Sequence, residues 1–167
     1  MIRIENDIFL PNGYCNPDCF SAATWQVLQK AVHAAETHQW EMVRTCHLLM
    51  ALLQSKDHLA TKLLQDNGLQ AADVLYRLDQ QFPPKDSRVT CERIHLHREY
   101  LSQQVLDLLR AARFRQMDMG RTKVSTGDLW WCLLERPGYV TAVLSTQNTK
   151  IQQLKAQILT WECELVS

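Results

Sequence analysis

The sequence predicts an all-α fold: a pseudo-twofold bundle of two four-helix repeats, about eight helices, with a short extended N-terminal arm. This prediction rests on a helical pattern that begins at Phe20 and recurs, without a gap, 81 residues later. The matched pairs include Phe20 with Leu101, Ser21 with Ser102, Trp25 with Leu106, Leu28 with Leu109, Ala31 with Ala112, Val43 with Val124, Thr45 with Thr126, Leu48 with Leu129, Leu52 with Leu133 and Leu63 with Leu144. A match over a whole supersecondary unit indicates a duplicated module whose two copies bury their apolar faces against each other.

Length and charge limit the possible partners of the chain. A domain of 167 residues is long enough to bury about 70% of its unfolded surface. The 18 Lys and Arg residues balance the 18 Asp and Glu residues, so we expect neither nucleic acid nor a membrane surface as a partner. Residues 1–10 lack the apolar core of a signal peptide, and we therefore expect a cytoplasmic protein with reduced cysteines.

Residues 1–19 are predicted to form an arm that packs on the helical body. Apolar and β-type residues there are interrupted by turn residues such as Pro11, Gly13 and Pro17. The double repeat is predicted to occupy residues 20–163.

The first two helices of repeat one, which spans 20–81, are predicted from their caps and apolar spacing. Ser21 is a favourable N-cap for a helix that continues to about Thr37. Thr45 directly precedes a second apolar run and is predicted to cap the second helix.

The third helix of repeat one is predicted to begin at an Asp57 cap and to end in a left-handed residue at Gly68. The apolar residues that predict a fourth helix are Leu69, Val74, Leu75 and Leu78. The segment 82–98 is predicted to be the linker between the repeats, because the Pro83-Pro84 pair cannot continue a helix.

Repeat two is predicted to follow the same plan over residues 99–163. Its helices are expected at about 99–116, at 126–135 with Thr126 as the cap, after Gly138, and from about Thr149.

The start of the second helix has a characteristic motif in both repeats. In repeat one it is Val43-x-Thr45-x-His47-Leu48-Leu49, and in repeat two it is Thr126-Gly127-Asp128-Leu129-Trp130. Together with Phe20-Ser21 and Leu101-Ser102 at the start of the preceding helices, these motifs resemble the Clp N-terminal repeat. The resemblance covers about residues 20–160, and its tandem occurrence makes it specific.

The resemblance implies an eight-helix domain at the head of a Clp-type AAA+ unfoldase. Such a domain captures protein substrates, adaptors or partner helices for the ATPase ring in protein quality control. The resemblance therefore implies a binding function rather than catalysis, and it implies no cofactor. The chain itself has no phosphate loop, since the nearest stretch, at 120–123, lacks the required glycines. An AAA+ ATPase module is accordingly expected in cis or in trans.

Two features of these motifs suggest an alternative function. Family members that recognise phosphorylated arginine have an acidic residue where this chain has Cys46 and Gly127, so guanidinium binding is not predicted there. The sequence of repeat two at 126–129 is similar to that of the ClpV branch of the family, which binds a helix of the type VI secretion sheath. The alternative function is therefore a dedicated partner-binding module, either ClpV-like or free-standing.

Six residues are predicted to contact the peptide or partner. By the resemblance, Ser21, Ser102, Thr45 and Thr126 border the peptide-binding surface, and each also suits helix capping. Adjacent helix positions are about 100° apart, so Trp130 is expected in the core and Trp131 partly exposed as a binding hot spot. Tyr139 would extend that surface. The competing interpretation is that Trp131 packs against the linker or the arm.

Other reactive residue types give no prediction of a chemical site. The residues Cys15, Cys19, Cys91, His95 and His97 have metal-ligand types, but a Cys-x-x-x-Cys without a second pair is a poor zinc signature, and we predict no metal. His47 has no catalytic partner at a recognisable spacing and is predicted to be structural. The basic residues Arg110, Arg113, Arg115, Arg121 and Lys123 are predicted to form a solvated face.

Overall fold

The computed structural model describes residues 7–55, 58–81, 93–136, 138, 144 and 151–166. Regular structure within these residues consists of seven α-helices and two 3-10 helices, without a strand, so the all-α prediction is confirmed. The α-helices are α1 (Ala22–Thr37), α2 (Thr45–Gln54), α3 (His58–Asp66), α4 (Ala71–Gln81), α5 (Gln103–Asp118), α6 (Thr126–Glu135) and α7 (Ile151–Val166); the 3-10 helices are Pro17–Cys19 and Arg98–Tyr100.

The helix bounds reproduce the internal repeat. Both ends of α1 and α5, of α2 and α6, and of the two 3-10 helices differ by 81 residues. The last helices depart from this offset, because α4 buries Val74 and Leu78 whereas α7 buries Leu154 and Ile158, which is an offset of 80. Repeat two is therefore one residue shorter than repeat one between Leu144 and α7.

Three predicted segments lie wholly or largely outside the described residues. The cap at Asp57 and the linker residues 82–92 are among them. The helix predicted after Gly138 is described only at Leu144, which is helical and buried.

Serine side chains cap the first helix of each repeat, as predicted. The Oγ of Ser21 accepts from the amide of Thr24 and the Oγ of Ser102 from the amide of Val105, both at 3.2 Å. The predicted start of α5 near Glu99 is wrong by four residues. Residues 101–102 stay extended there because they pair with repeat one, so the helix begins only after Ser102.

The predicted caps of α2 and α6 are also wrong. The N-cap residues are Arg44 and Ser125, and the two threonines are the first helical residues. The side chain three positions after each N-cap turns back to the start of its helix. His47 Nδ1 accepts from the Arg44 amide at 2.9 Å, and Asp128 Oδ2 accepts from the Ser125 amide at 2.8 Å. This reciprocal geometry, complete in repeat two, is that of a capping box.

Two backbone bridges cross between the repeats. The residue before α1 pairs with the segment before α6, and the residue before α5 pairs with the segment before α2. The four hydrogen bonds are Ser21 N–H to Val124 O (3.0 Å), Val124 N–H to Cys19 O (2.9 Å), Ser102 N–H to Val43 O (3.0 Å) and Val43 N–H to Tyr100 O (2.7 Å). Each bond has its symmetry mate 81 residues away, so the pseudo-twofold axis runs between the two bridges.

One apolar core runs through both repeats. In α2 every residue from Cys46 to Leu53 is buried, and α6 is buried over most of its length in the same way. The helices α1 and α2 pack together, as do α5 and α6, while α1 also contacts α6 across the repeats.

The arm turns back on itself and pairs with the end of the linker. Phe9 bridges Cys15, and Tyr14 bridges His97 of the linker. Gly13 has a left-handed φ of 89°, and a Cβ there would lie 2.4 Å from the imidazole of His97. Ile8 is fully buried, so the arm is part of the core.

The ends of α1 and α5 show how the repeats have diverged at one position. Each helix ends with a left-handed residue, and the two residues are equivalent: Gln39, with a φ of 57°, and Gly120, with a φ of 71°. The same Schellman-type bonds follow, from Trp40 N–H to Ala35 O and from Arg121 N–H to Gln116 O. Gly68 ends α3 with a φ of 65°, as predicted.

We expect opposite effects of substitution at these equivalent ends. Replacing Gln39→Gly removes a left-handed side-chain-bearing residue and should raise the free energy of unfolding by about 0.5–1 kcal/mol. Replacing Gly120→Ala should lower it by about 1 kcal/mol, purely through the backbone, because a Cβ there meets no atom within 4 Å. Urea unfolding of both variants measures this, and an unchanged Gly120→Ala protein would contradict the assignment.

Candidate protein-binding surface

The crossed bridges bring the four predicted hydroxyl residues together in two pairs. Ser21 bonds to Val124 close to Thr126, and Ser102 bonds to Val43 close to Thr45. Their exposure differs within each pair. Ser102 and Thr126 are buried, whereas Ser21 and Thr45 are half-buried. Only one hydroxyl residue of each pair is therefore accessible to a partner.

Trp131 is half-buried on the outer side of α6, and Trp130 is buried as predicted. Two cations lie over the indole ring of Trp131, with the guanidinium of Arg115 at 4.8 Å and the ammonium of Lys155 at 4.5 Å from the ring centroid. The Nε1 of Trp131 donates to Glu135 Oε1 at 2.9 Å. These contacts of the ring are thus with α5, α6 and α7. Tyr139 lies outside the described residues.

A buried ionic cluster, formed by Arg115, Arg121, Asp128 and Glu162, lies beside Trp131. The fully buried Asp128 carboxylate bonds to Arg115 at 2.6 Å and to Arg121 at 2.7 Å. Glu162 Oε2 on α7 lies 2.7 Å from Arg115. Burial alone lowers the pKa of Arg115, but hydrogen bonds to Glu162 and Asp128 raise it above its ordinary value. The prediction that the basic residues form a solvated face is therefore wrong for Arg115 and Arg121.

Glu162 explains why position 127 is glycine. A Cβ on Gly127 would lie 2.8 Å from Glu162 Oε1, so any side chain would displace the carboxylate. The sequence has no acidic residue at position 127. The carboxylate beside this position comes from Glu162 on α7, 35 residues later, and sequence reasoning missed it. Two arginines of the chain itself, Arg115 and Arg121, already lie beside this carboxylate.

Repeat one has an aromatic and histidine cluster at the equivalent place. Trp40 and His47 stand where repeat two has Arg121 and Asp128, with their ring centroids 5.9 Å apart. Arg44 lies over the Trp40 ring at 5.1 Å. His38 at the end of α1 bonds to Asp79 of α4 at 3.1 Å. Desolvation, and then the charges of His38 and Arg44, lower the pKa of the buried His47 to about 4.

A furrow with a cavity of about 150 Å³ lies between α3 of repeat one and α7 of repeat two. Its lining residues are Leu59, Lys62, Leu63, Asp66, Gln157, Thr160 and Trp161. The two leucines are buried and form its apolar part, while the ammonium of Lys62 lies 4.9 Å from the Trp161 ring centroid. Asn67 Nδ2 donates to Gln157 Oε1 at 2.6 Å and fastens the end of α3 to α7. The furrow therefore needs both repeats.

The buried cysteines are unreactive thiols. Burial raises the pKa of Cys15 to about 12, of Cys46 to about 11 and of Cys132 to about 12, so all three are protonated at neutral pH. Among the described residues, no three His, Cys, Asp or Glu side chains come together as metal ligands. Cys91, one of the residues weighed for zinc, lies outside them.

Comparison with known families and structures identifies the fold. The model of the Clp repeat N-terminal domain matches residues 19–147, which is more than half of the chain. The chain belongs to the Clp repeat N-terminal domain family. Comparison with curated proteins gives no sequence match. Clp-N domains are in general accessory, non-catalytic parts of Clp-type AAA+ chaperones, and membership of the family supports a general N-domain role for this chain.

Three solved structures share the fold of this Clp-N domain. The Hsp104 N-terminal domain of Candida albicans is 14% identical over 86% of this chain and 91% of that one, with a TM-score of 0.71. The ClpD N-terminal domain of Arabidopsis thaliana is 17% identical over 85% and 93%, with a TM-score of 0.65. A structure from work on the ATPase ClpV, the TssB-TssC sheath and the accessory HsiE protein of type VI secretion is 16% identical over 83% and 86%, with a TM-score of 0.60.

The helices are too short or too polar for the hydrocarbon core of a bilayer: in the described part of this Clp-N domain, none could span a membrane.

We expect His47 to make the domain acid-sensitive. Its folded pKa of about 4 lies below the ordinary 6.5, so its contribution is fully present above pH 6.5 and is lost as the pH falls towards 4. The loss by pH 4 should be roughly 3 kcal/mol in the free energy of unfolding. Urea unfolding at several pH values measures it.

His47→Asn is the matched control for acid sensitivity. An asparagine oxygen can still accept from the Arg44 amide, but it does not titrate. Carboxylates contribute equally in both proteins, so the difference between the two pH profiles isolates the imidazole. Parallel profiles between pH 7 and pH 4 would show that the His47 environment does not disfavour its charged form.

Proposed function

We propose that this Clp-N domain captures polypeptide segments, from substrates or adaptors, and presents them to an AAA+ ATPase module in cis or in trans. The furrow between α3 and α7 is the observation that carries the proposal. It has apolar side chains at its base, an indole at its wall and polar groups at its rim, which is the usual composition of a ligand site. We further propose that the protein acts in the cytoplasm.

The size of the furrow favours weak, reversible capture. A cavity of about 150 Å³ accepts a group of about the size of benzene, and so one large apolar side chain of a bound segment. Burying one such side chain contributes about 1.5–3 kcal/mol, and the ordering of a flexible segment offsets part of that gain. This one contact therefore corresponds to a dissociation constant of several millimolar or weaker, which suits a domain that must release what it captures.

Filling the furrow should abolish capture without unfolding the domain. Thr160 is exposed at the rim, and Thr160→Trp places an indole over the cavity. We expect at least a tenfold loss of affinity for an unfolded model polypeptide, such as reduced and carboxymethylated α-lactalbumin, measured by fluorescence anisotropy without nucleotide.

Gln80→Trp is the matched control for the filled furrow. Gln80 is the exposed equivalent of Thr160 on α4, and it does not line the furrow. The Gln80→Trp variant should retain full affinity for the unfolded polypeptide. Equal binding by both variants and the unaltered domain would exclude this furrow as the capture site, and no binding by the unaltered domain would remove the proposed function.

The six residues predicted from the sequence remain proposed contacts. Ser21, Thr45 and Trp131 are partly exposed, so each can contribute to an edge of a partner surface. Ser102 and Thr126 would act by positioning α5 and α6. Tyr139 is proposed as an extension of the Trp131 surface.

A second candidate function is recognition of one dedicated partner, as in the ClpV-like alternative. An exposed apolar stripe on α5 favours it. Phe114, Met117 and Met119 are 52%, 36% and 45% exposed, and the equivalents in repeat one are His33, Glu36 and His38. Because α1 folds with polar residues at these positions, the fold does not require apolar ones on α5. Exposed apolar residues without a folding role are typical of an interaction site.

Exchanging this stripe for its counterpart tests the second candidate. The double substitution Phe114→His and Met117→Glu should change the free energy of unfolding by less than about 0.5 kcal/mol, since α1 tolerates both residues. If the partner is a sheath, binding to a purified TssB-TssC complex from the same organism should fall at least tenfold, measured by surface plasmon resonance. Failure of the unaltered domain to bind that complex would exclude the sheath.

A further inference from the structure

We propose that the exposed apolar stripe on α5 is a contact between two copies of this chain, in which two α5 helices pack antiparallel about Phe114. The inference rests on the second candidate function, because it names the dedicated partner of the same stripe. It is independent of capture by the furrow. The charges on either side of Phe114 are the observation that carries it.

Two opposite charges lie at equal distances from Phe114 on the outer side of α5. Arg110 precedes Phe114 by four residues and Asp118 follows it by four, so the three side chains share one side of the helix. Four residues correspond to about 6 Å along a helix axis. When two such helices pack antiparallel with their Phe114 side chains together, Arg110 of each copy lies level with Asp118 of the other. The contact is therefore self-complementary, as twofold symmetry between identical chains requires.

Both charged groups are accessible to a second copy. Asp118 is exposed and forms no ion pair within the part of the chain that the structure describes. The side chain of Arg110 is 34% exposed, with its Nε 3.6 Å from Asp7 Oδ1 and its guanidinium over the Phe9 ring. Because a guanidinium has several N–H donors, the contact with Asp7 leaves donors for a second carboxylate.

The position of Asp118 is unfavourable for the isolated helix. Asp118 is the last residue of α5, where the helix dipole disfavours a negative charge. The equivalent residue of α1 is the neutral Thr37, and the equivalent of Arg110 is Gln29. The helix α1 therefore folds without either charge. An ion pair with Arg110 of a second copy would offset the unfavourable placement of Asp118.

Apolar side chains occupy the centre of the same contact. Phe114 is 52% exposed and Met117 is 36% exposed. In the antiparallel arrangement the two Phe114 rings meet, and Met117 of each copy lies level with Ala111 of the other. The small Ala111 side chain allows the two helices to approach closely. One pair of helices buries less than the roughly 800 Å² per partner of a standard interface, so we expect a weak dimer.

Sedimentation velocity of the unaltered domain is the first test. We expect a monomer at about 10 μM and a dimer fraction that grows up to about 1 mM, because the contact is small. Salt at about 0.5 M should weaken the dimer by screening its ion pairs. A domain that stays monomeric up to about 1 mM would overturn the inference.

Charge reversal tests the pairing itself. Asp118→Arg and Arg110→Glu each place like charges opposite each other, so each variant alone should dimerise at least tenfold more weakly. An equimolar mixture of the two variants should dimerise as well as the unaltered domain, since every ion pair then joins an acidic residue to an arginine. A merely structural effect of the two substitutions would not produce this recovery.

Thr37→Arg is the matched control for Asp118→Arg, because it places an arginine at the equivalent end of α1. The Thr37→Arg variant should dimerise like the unaltered domain. Near-UV circular dichroism verifies that each variant is folded. If Arg110→Glu disturbs the arm through Asp7, Asp118→Arg alone decides the test. A dimer that survives Asp118→Arg, or a mixture of folded variants that is no more dimeric than its components, would overturn the inference.

The failures of the two proposals are distinguishable. A monomeric domain that binds the TssB-TssC complex would refute the contact between copies and leave recognition of a dedicated partner in place. A domain that dimerises, follows the charge-reversal pattern and does not bind the sheath complex would support the inference and exclude the sheath. Capture by the furrow is affected by neither outcome.

Discussion

The crossed backbone bridges are the constraint on which this fold depends. Each repeat presents an extended residue before its first helix and another before its second, and these residues pair across the two repeats. An extended segment cannot satisfy its own amides and carbonyls, so neither repeat is complete alone. The bridges also fix the position of the start of α1 relative to α6, and of the start of α5 relative to α2. The bundle is consequently one cooperative unit rather than two stacked halves.

At equivalent positions of this symmetric fold, the two repeats contain different kinds of side-chain cluster. Repeat two has a neutral cluster of two arginines and two carboxylates, which joins α5, α6 and α7. Repeat one has an uncharged histidine among aromatic rings, which joins α1, α2 and α4 through His38. A buried ion cluster is costly when one member is lost, whereas a buried neutral imidazole is costly when it is protonated. The halves therefore differ in what destabilises them.

The same asymmetry defines the surfaces available for binding. Glu162 attaches α7 to α5, and Lys155 attaches it to α6 and Trp131, which places Trp161 opposite α3. The furrow exists because the last helix of repeat two reaches the third helix of repeat one. Membership of the Clp-N family supports a general N-domain role, and the furrow is the observation behind the proposed capture of polypeptide segments.

The sequence alone determined the all-α class, the duplication, the serine caps and the buried side of each helix, because helical spacing and capping are local properties. Local reasoning failed at Thr45 and Thr126: the true N-caps are the residues before them, and the side chain three residues after each N-cap turns back to its amide. Only the tertiary structure decided which arginines form ion pairs with Asp128 and Glu162, which carboxylate lies against Gly127, and where the furrow lies. Each of these depends on α7, and nothing in the local pattern specifies which distant carboxylate or ring will meet a given side chain.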